Sequence, residues 1–266
     1  MLSRLTMELK EKDSVELIGT QKSSLLQGVM MQQIDPEYAG KMHMNGLRPY
    51  SEWIKHDAGK AYWIVQTLNE EAYGKIILPL LSTDFQEIFI ENDQKKYEIV
   101  SKTVIQKKKE ELLDDFFFGQ CERIMRVEFL APTAFKTNGQ YRFYPDIRLI
   151  YQSLMKRYDA FSEENQICSE EVLEELVGNT YISQYNLRSM NFYLEGIKIP
   201  SFRGSITLRI KGPQQLVNLA GFLLHYGEFS GVGIKTAIGM GAYRIVERGD
   251  QSEAKRAKTA DRSIAL

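Results

Sequence analysis

Three histidines are spread along the 266 residues, at His43, His56 and His225. Histidine alone changes charge near neutral pH without a special environment, so these are the first candidates for proton transfer. His43 has the densest polar company. It lies in Y-A-G-K-M-H-M-N-G-L-R-P-Y-S, flanked by Lys41 and Arg48, with Tyr38 and Tyr50 close by. Taken alone, it reads as a helix-end histidine favoured by the helix dipole. His56, in K-H-D-A-G, reads as an exposed residue of a hairpin turn. His225 precedes a glycine-rich stretch at a helix C-terminus, where packing or a dipole contact accounts for it and a ligand contact is the alternative. The chain has no H-E-x-x-H, no carboxylate–histidine cluster at ligand spacing and no Asp-x-Asp. The pattern therefore predicts acid–base chemistry without a metal or other cofactor.

The second feature is G-E-F-S-G-V-G-I-K-T-A-I-G-M-G, from Gly227 to Gly241. It holds glycines at 227, 231, 233, 239 and 241, and Lys235 stands between the two close pairs. Glycine permits left-handed backbone and close approach. Successive free amides beside a lysine would suit an anion; a turn tucked against a sheet is the plainer reading. Walker A and dinucleotide loops follow a strand and open a helix. Here the loop follows a helix that opens at Gly212-Pro213 and carries Leu216, Val217, Leu219, Ala220, Leu223 and Leu224 at helical spacing. Gly227 reads as the helix stop, and Ala242 to Val246 as a closing strand.

The elements that must position these features follow from periodicity. Leu5, Met7 and Leu9 alternate with Arg4, Thr6, Glu8 and Lys10 in a half-buried strand. Ser23 and Ser24 cap a predicted helix to Ile34, and a shorter one runs from Glu37 to about His43, before a turn at Asn45-Gly46. Arg48–Ile54 and Lys60–Thr67 form a strand pair about Asp57-Ala58-Gly59. Glu70–Leu81 is helical, and Phe85–Glu91 and Tyr97–Ile105 are strands. The order strand, helix, strand, strand, helix, strand is ferredoxin-like. Lys107–Phe118 opens with three lysines against the dipole, which reads as a solvated face or a nucleic-acid contact. A boundary falls near Gly119. The second half repeats the order: a strand at Arg123–Leu130, helices at Ile147–Tyr158 and Ser169–Leu176, and strands at Arg188–Ile197 and Arg203–Lys211 turned by Pro200-Ser201. In the last of these, Arg203, Arg209 and Lys211 share a face, suiting a phosphate backbone or a solvated sheet.

Composition bounds the rest. Hydrophobic content is 43%, charged content 26% and net charge −1, so any polyanion site must be a local patch. Cys121 and Cys168 form no C-x-x-C pair, no apolar run approaches 18 residues, and the N-terminus lacks an apolar signal region. Together these predict a soluble cytoplasmic protein with no membrane partner. Residues 250–266, with Lys255, Arg256, Lys258 and Arg262, read as a disordered tail.

Two segments resemble a known family. H-Y-G-E-F-S-G-V-G-I-K-T-A-I-G-M-G-A-Y is similar to the C-terminal G-x-G-x(5)-G-x-G signature of CRISPR repeat-processing endoribonucleases of the RAMP superfamily, matched by Gly231, Gly233, Gly239 and Gly241. E-F-L-A-P-T-A-F-K-T-N-G, followed by P-D-I-R-L-I-Y-Q-S-L-M-K-R, is similar to the segment opening that family's second domain. The resemblance implies two tandem ferredoxin-like domains, 1–119 and 120–249, with RNA lying across both. It implies a metal-independent endoribonuclease that cuts precursor CRISPR RNA within repeats by 2′-hydroxyl attack, leaving a 2′,3′-cyclic phosphate and a 5′-hydroxyl. Hand-over of product to an effector complex, and a homodimer, are compatible with it. The runner-up is a non-catalytic subunit of the same superfamily holding CRISPR RNA in an effector complex. A third alternative is a paired RRM-like module, against which the missing RNP1 aromatic pattern counts.

His43 matches the family's catalytic histidine, placed after the first helical section and before the second strand. The family's tyrosine after L-Q-G is not found: Leu26-Gln27-Gly28 is followed by Met31 at that place, and the usual lysine is replaced by Arg48 as nearest cation. Tyr38 substitutes as base by proximity, and Arg48 as phosphorane ligand. Gly231, Gly233, Lys235, Gly239, Gly241, Arg203 and Arg209 are the expected RNA contacts.

Overall fold

The computed structural model describes residues 1–12, 14–44, 46–162 and 166–246, without the side chains of residues 43, 44, 93, 110 and 115–117. The expected tail at 250–266, and Asn45 of the expected turn, fall outside the described residues.

The first half runs β1 (Leu2–Glu11), α1 (Ser23–Gln33), α2 (Pro36–Met44), β2 (Tyr50–Asp57), β3 (Lys60–Thr67), α3 (Glu70–Ala72), a π turn (Tyr73–Ile77), α4 (Leu78–Leu81), β4 (Glu87–Ile90), β5 (Lys95–Lys107) and α5 (Lys109–Phe117). Its antiparallel sheet has the order β2-β3-β1-β5-β4. The second half runs β6 (Ile124–Thr133), β7 (Phe135–Thr137), β8 (Gln140–Arg142), α6 (Ile147–Phe161), α7 (Glu170–Asn179), β9 (Thr180–Leu194), β10 (Ile197–Ile210), α8 (Gln214–Ser230) and β11 (Tyr243–Val246). Its sheet has the order β11-β6-β10-β9. Second, third, first and fourth principal strand lie side by side in both sheets, which is the ferredoxin-like arrangement twice over.

One face of each sheet carries helices and a core. Leu5, Met7, Tyr50, Ile54 and Trp63 pack with Leu26 and Met30 of α1. Val127, Phe129, Ile206 and Leu208 pack with α6 and α8. α5 precedes Gly119 in sequence, yet its Leu112 joins this second core. Between the two sheets, Trp53 and Ile64 form a smaller apolar cluster with Ala131 and Ala242.

α8 stitches the halves together. The last carbonyls of a helix lack partners of their own. Here Glu228 O accepts Arg4 Nη2 at 3.0 Å and Gln66 Nε2 at 2.6 Å, and Phe229 O accepts Ser51 Oγ at 2.6 Å. The first sheet thus caps a helix of the second half.

Four local expectations are corrected. Ser23 and Ser24 do not cap α1; they lie in its first turn after a 3-10 turn, and Ser23 Oγ donates to Thr20 O at 3.1 Å. The helix predicted over 70–81 is interrupted by the π turn just ahead of Pro79, which has no N–H to give to an i−4 carbonyl. Gly227 does not end α8, which runs to Ser230; a Cβ at 227 would lie 1.9 Å from Tyr243 Oη, so this glycine serves packing. The turn between β9 and β10 is Glu195-Gly196, both left-handed, instead of Pro200-Ser201. Pro200 sits beyond the last β6 pairing, where a missing N–H costs no ladder bond on that side.

Candidate functional site

The glycine-rich segment packs into its own protein. Gly239 has φ +100°, and a Cβ there would lie 2.4 Å from Ser23 Cβ; Gly241 has φ +74°, and a Cβ would lie 2.1 Å from Val232 O. Gly233 approaches Ala134 O as closely, and Gly231 faces Thr236. The expected free amides are mostly taken. Val232 N donates to Gly241 O, Gly233 N to Ser153 Oγ, Ile234 N to Ala134 O and Gly241 N to Pro132 O. The plainer reading of the glycines as a tucked turn describes this part of the loop. What the loop offers outward is Lys235, exposed and left-handed at φ 57°, ahead of a 3-10 turn at Thr236–Ile238. That turn lies against α1 and β2.

Between these elements is a cavity of about 230 Å³, lined by Gln27, Gly46, Arg48, Arg157, Lys235, Thr236, Ala237 and Ile238. Arg48 and Lys235, predicted from separate motifs, therefore share one wall-to-wall space. His43 is in the last turn of α2, and its side chain lies outside the described residues. It stands three positions before Gly46 of the lining, a span of at most about 11 Å.

Tyr50 holds two residues of the lining, Gln27 and Arg48. Its buried hydroxyl accepts Gln27 Nε2 at 3.1 Å and hydrogen-bonds Arg48; burial pushes the phenol up to about 12, and these two bonds oppose the shift. Tyr38, expected as a base by proximity, is instead a core side chain, 3% exposed, with no partner for its hydroxyl among the described residues. Burial first, then Glu71 and Tyr50, raise it to about 12, so it keeps its proton at neutral pH.

Arg203 and Arg209 lie elsewhere, on the open face of β10. Arg203 is half-buried; desolvation, then the cross-strand Arg188, lower its pKa, and Glu128 opposes the shift. Arg209 lines a shallow groove with Arg126. Arg209 stands six positions after Arg203 along the strand, about 20 Å. Of the other histidines, His56 Nε2 hydrogen-bonds Ile18 O at 2.7 Å, and His225 Nδ1 bonds Glu228 Oε2 at 2.9 Å. Among the described residues no group of three or more His, Cys, Asp or Glu is placed to hold a metal ion, and no helix is long and apolar enough to cross a membrane.

Sequence reasoning missed Gln27, Arg157 and Thr236. Arg157 had a signal: it falls seven residues after Ile150 and three after Leu154, a charge on an apolar stripe.

The family model for the CRISPR-associated endoribonuclease Cas6 matches residues 127–243. The chain is 30% identical over 223 residues to the CRISPR-associated endoribonuclease Cas6 of Streptococcus thermophilus, covering 84% of this chain and 90% of that protein. The chain belongs to the Cas6 family. A Cas6 of Mycobacterium tuberculosis is 31% identical over 250 residues, covering 92% of this chain and 78% of that one. Two solved Cas6 product complexes superpose with TM-scores of 0.77 and 0.75 at 21% and 22% identity. Each covers 92% of this chain, and the match spans 99% and 100% of theirs. At that identity the likeness is one of fold, and it supports the tandem ferredoxin-like reading for this Cas6-family chain.

Proposed function

We propose that this chain cuts precursor CRISPR RNA within its repeats, without a metal, by attack of the 2′-hydroxyl on the adjacent phosphate. The 2′-oxygen loses its proton and bonds to phosphorus, the bond to the 5′-oxygen breaks, and that oxygen takes up a proton. A 2′,3′-cyclic phosphate and a 5′-hydroxyl result. His43 carries proton transfer and Arg48 the charge of the phosphorane, with Lys235 holding RNA at the rim. Arg203 and Arg209 hold RNA further along. Gly231, Gly233, Gly239 and Gly241 act by fixing the loop that presents Lys235.

The observation that carries this reading is the shared cavity. A cation from the loop after His43 and a cation from the glycine loop converge there, in a chain of the Cas6 family. Solved relatives include complexes with product and with a substrate mimic, and a histidine-to-alanine mutant of one of them. The same reading divides the chain near Gly119, has it act in the cytoplasm and passes the product to an effector complex.

Incubation with repeat RNA in EDTA tests it. One defined cut with a 5′-hydroxyl is expected; cutting only on addition of magnesium would sink the metal-free mechanism. His43→Ala should slow single-turnover cleavage about 10²- to 10⁴-fold, with little change in affinity for a 2′-deoxy repeat. Wild-type cleavage by that variant would move the proton transfer to another group.

A further inference from the structure

Arg157 is a buried cation with no counter-charge among the described residues. It lies on the core face of α6, 5% exposed, and its Nε and Nη1 have no partner among the described residues. Desolvation lowers its pKa to about 10; the Tyr226 phenol opposes the shift, and among the described residues no carboxylate does. A buried charge is costly unless something of opposite sign is supplied. Thr236, 1% exposed, lines the same cavity, and its Oγ1 is equally without a partner. Two buried polar groups left unsatisfied in one cavity call for a ligand. Arg48 and Lys235 add positive charge, and no carboxylate is in the lining. An apolar ligand would leave both groups unmet, and a cation would be repelled. Water would serve the threonine but leave the arginine's charge unbalanced. About 230 Å³ has room for a tetrahedral oxyanion with waters, each occupying about 30 Å³.

We infer that this cavity is a phosphoryl-anion site with Arg157 and Thr236 as its buried ligands, and that in the RNA complex it holds a backbone phosphate of the repeat. The second clause rests on the proposed function; the first does not. The guanidinium and the threonine hydroxyl donate to the phosphoryl oxygens, and no bond is made or broken.

The test titrates inorganic phosphate into the full chain, with chloride holding ionic strength constant, and follows the thermal midpoint and the ³¹P line width. Wild type should show a saturable rise in midpoint. Arg157→Met should lose roughly ten- to a hundredfold in phosphate affinity, as for a hydrogen-bonded charge removed. Thr236→Val keeps the side-chain shape, should also weaken phosphate binding, and serves if the methionine variant does not fold. A flat wild-type titration, or wild-type phosphate affinity in both variants, overturns the site. The RNA clause is read with a 2′-deoxy repeat. Arg157→Met should weaken binding and flatten the log–log salt dependence by about 0.7 to 0.9. Unchanged RNA affinity and slope alongside lost phosphate binding would make free phosphate the ligand and overturn that clause. A wild-type chain that binds phosphate but cuts no repeat RNA would sink the proposed function and leave the anion site standing.

Discussion

Glu52 sits in the first core, fully buried, with Oε2 accepting Trp63 Nε1 at 2.9 Å and Oε1 unpartnered among the described residues. Burial raises its carboxyl well above the ordinary range. An unfolded glutamate titrates near 4.3. The native state therefore holds the proton more tightly, and stability is lost as pH rises from that value toward the folded one. Glu52→Gln keeps an acceptor for Trp63 and removes the penalty. It should stabilise by about 1–3 kcal/mol at pH 8 and much less at pH 4.5, read by urea unfolding; equal effects at both would refute the cause. At this scale legibility was uneven. Arg48 and Lys235 were found from their neighbours, and the cavity unites them. Tyr38 was misjudged because nearness in sequence does not give the face. It lies four residues after Ile34 and four before Met42, and all three are buried together. Arg157 was missed although its spacing was a signal, and only the packing shows that no described residue answers its charge.

At the scale of elements, helix, glycine loop and strand were legible in order, because apolar spacing and glycine density are properties of the chain itself. What the loop's amides bond to was not, since their partners are Ala134 and Pro132, about a hundred residues earlier. For the same reason Gly227 looked like a stop: its partner Tyr243 comes after the loop. The glycines now divide by what a methyl would meet. Gly241→Ala puts a side chain on left-handed backbone and against Val232 O, and should cost roughly 2–4 kcal/mol. Gly28, in α1, has nothing within 4 Å of an added Cβ. Gly28→Ala should stabilise by about 0.5–1 kcal/mol through helix propensity. Thermal unfolding of the two variants checks both signs at once.

Over the whole molecule, the two halves are held where α8 ends. Ser51 and Gln66 are buried; losing Ser51 takes the side-chain donor from Phe229 O, and losing Gln66 leaves Glu228 O with Arg4 as its side-chain donor. Ser51→Ala and Gln66→Ala should each cost about 1–3 kcal/mol. Hydrogen exchange should rise along the last turn of α8 and along β2 and β3 before it rises in β9 and β10. Uniform loss of protection would mean that the halves unfold as one and that the contact has no separate identity. The repeated strand order could be read from the sequence, but the hydrogen bonds that join the halves could not, because their acceptors carry no residue code. A main-chain carbonyl is present whatever amino acid stands at 228 or 229. Drift at those two positions leaves the acceptors in place, whereas drift at Arg4, Ser51 or Gln66 removes a donor. For these three hydrogen bonds inheritance is one-sided: change is felt through the donors of the first half, and the second half registers it chiefly through the Phe229 ring that lies under Arg4.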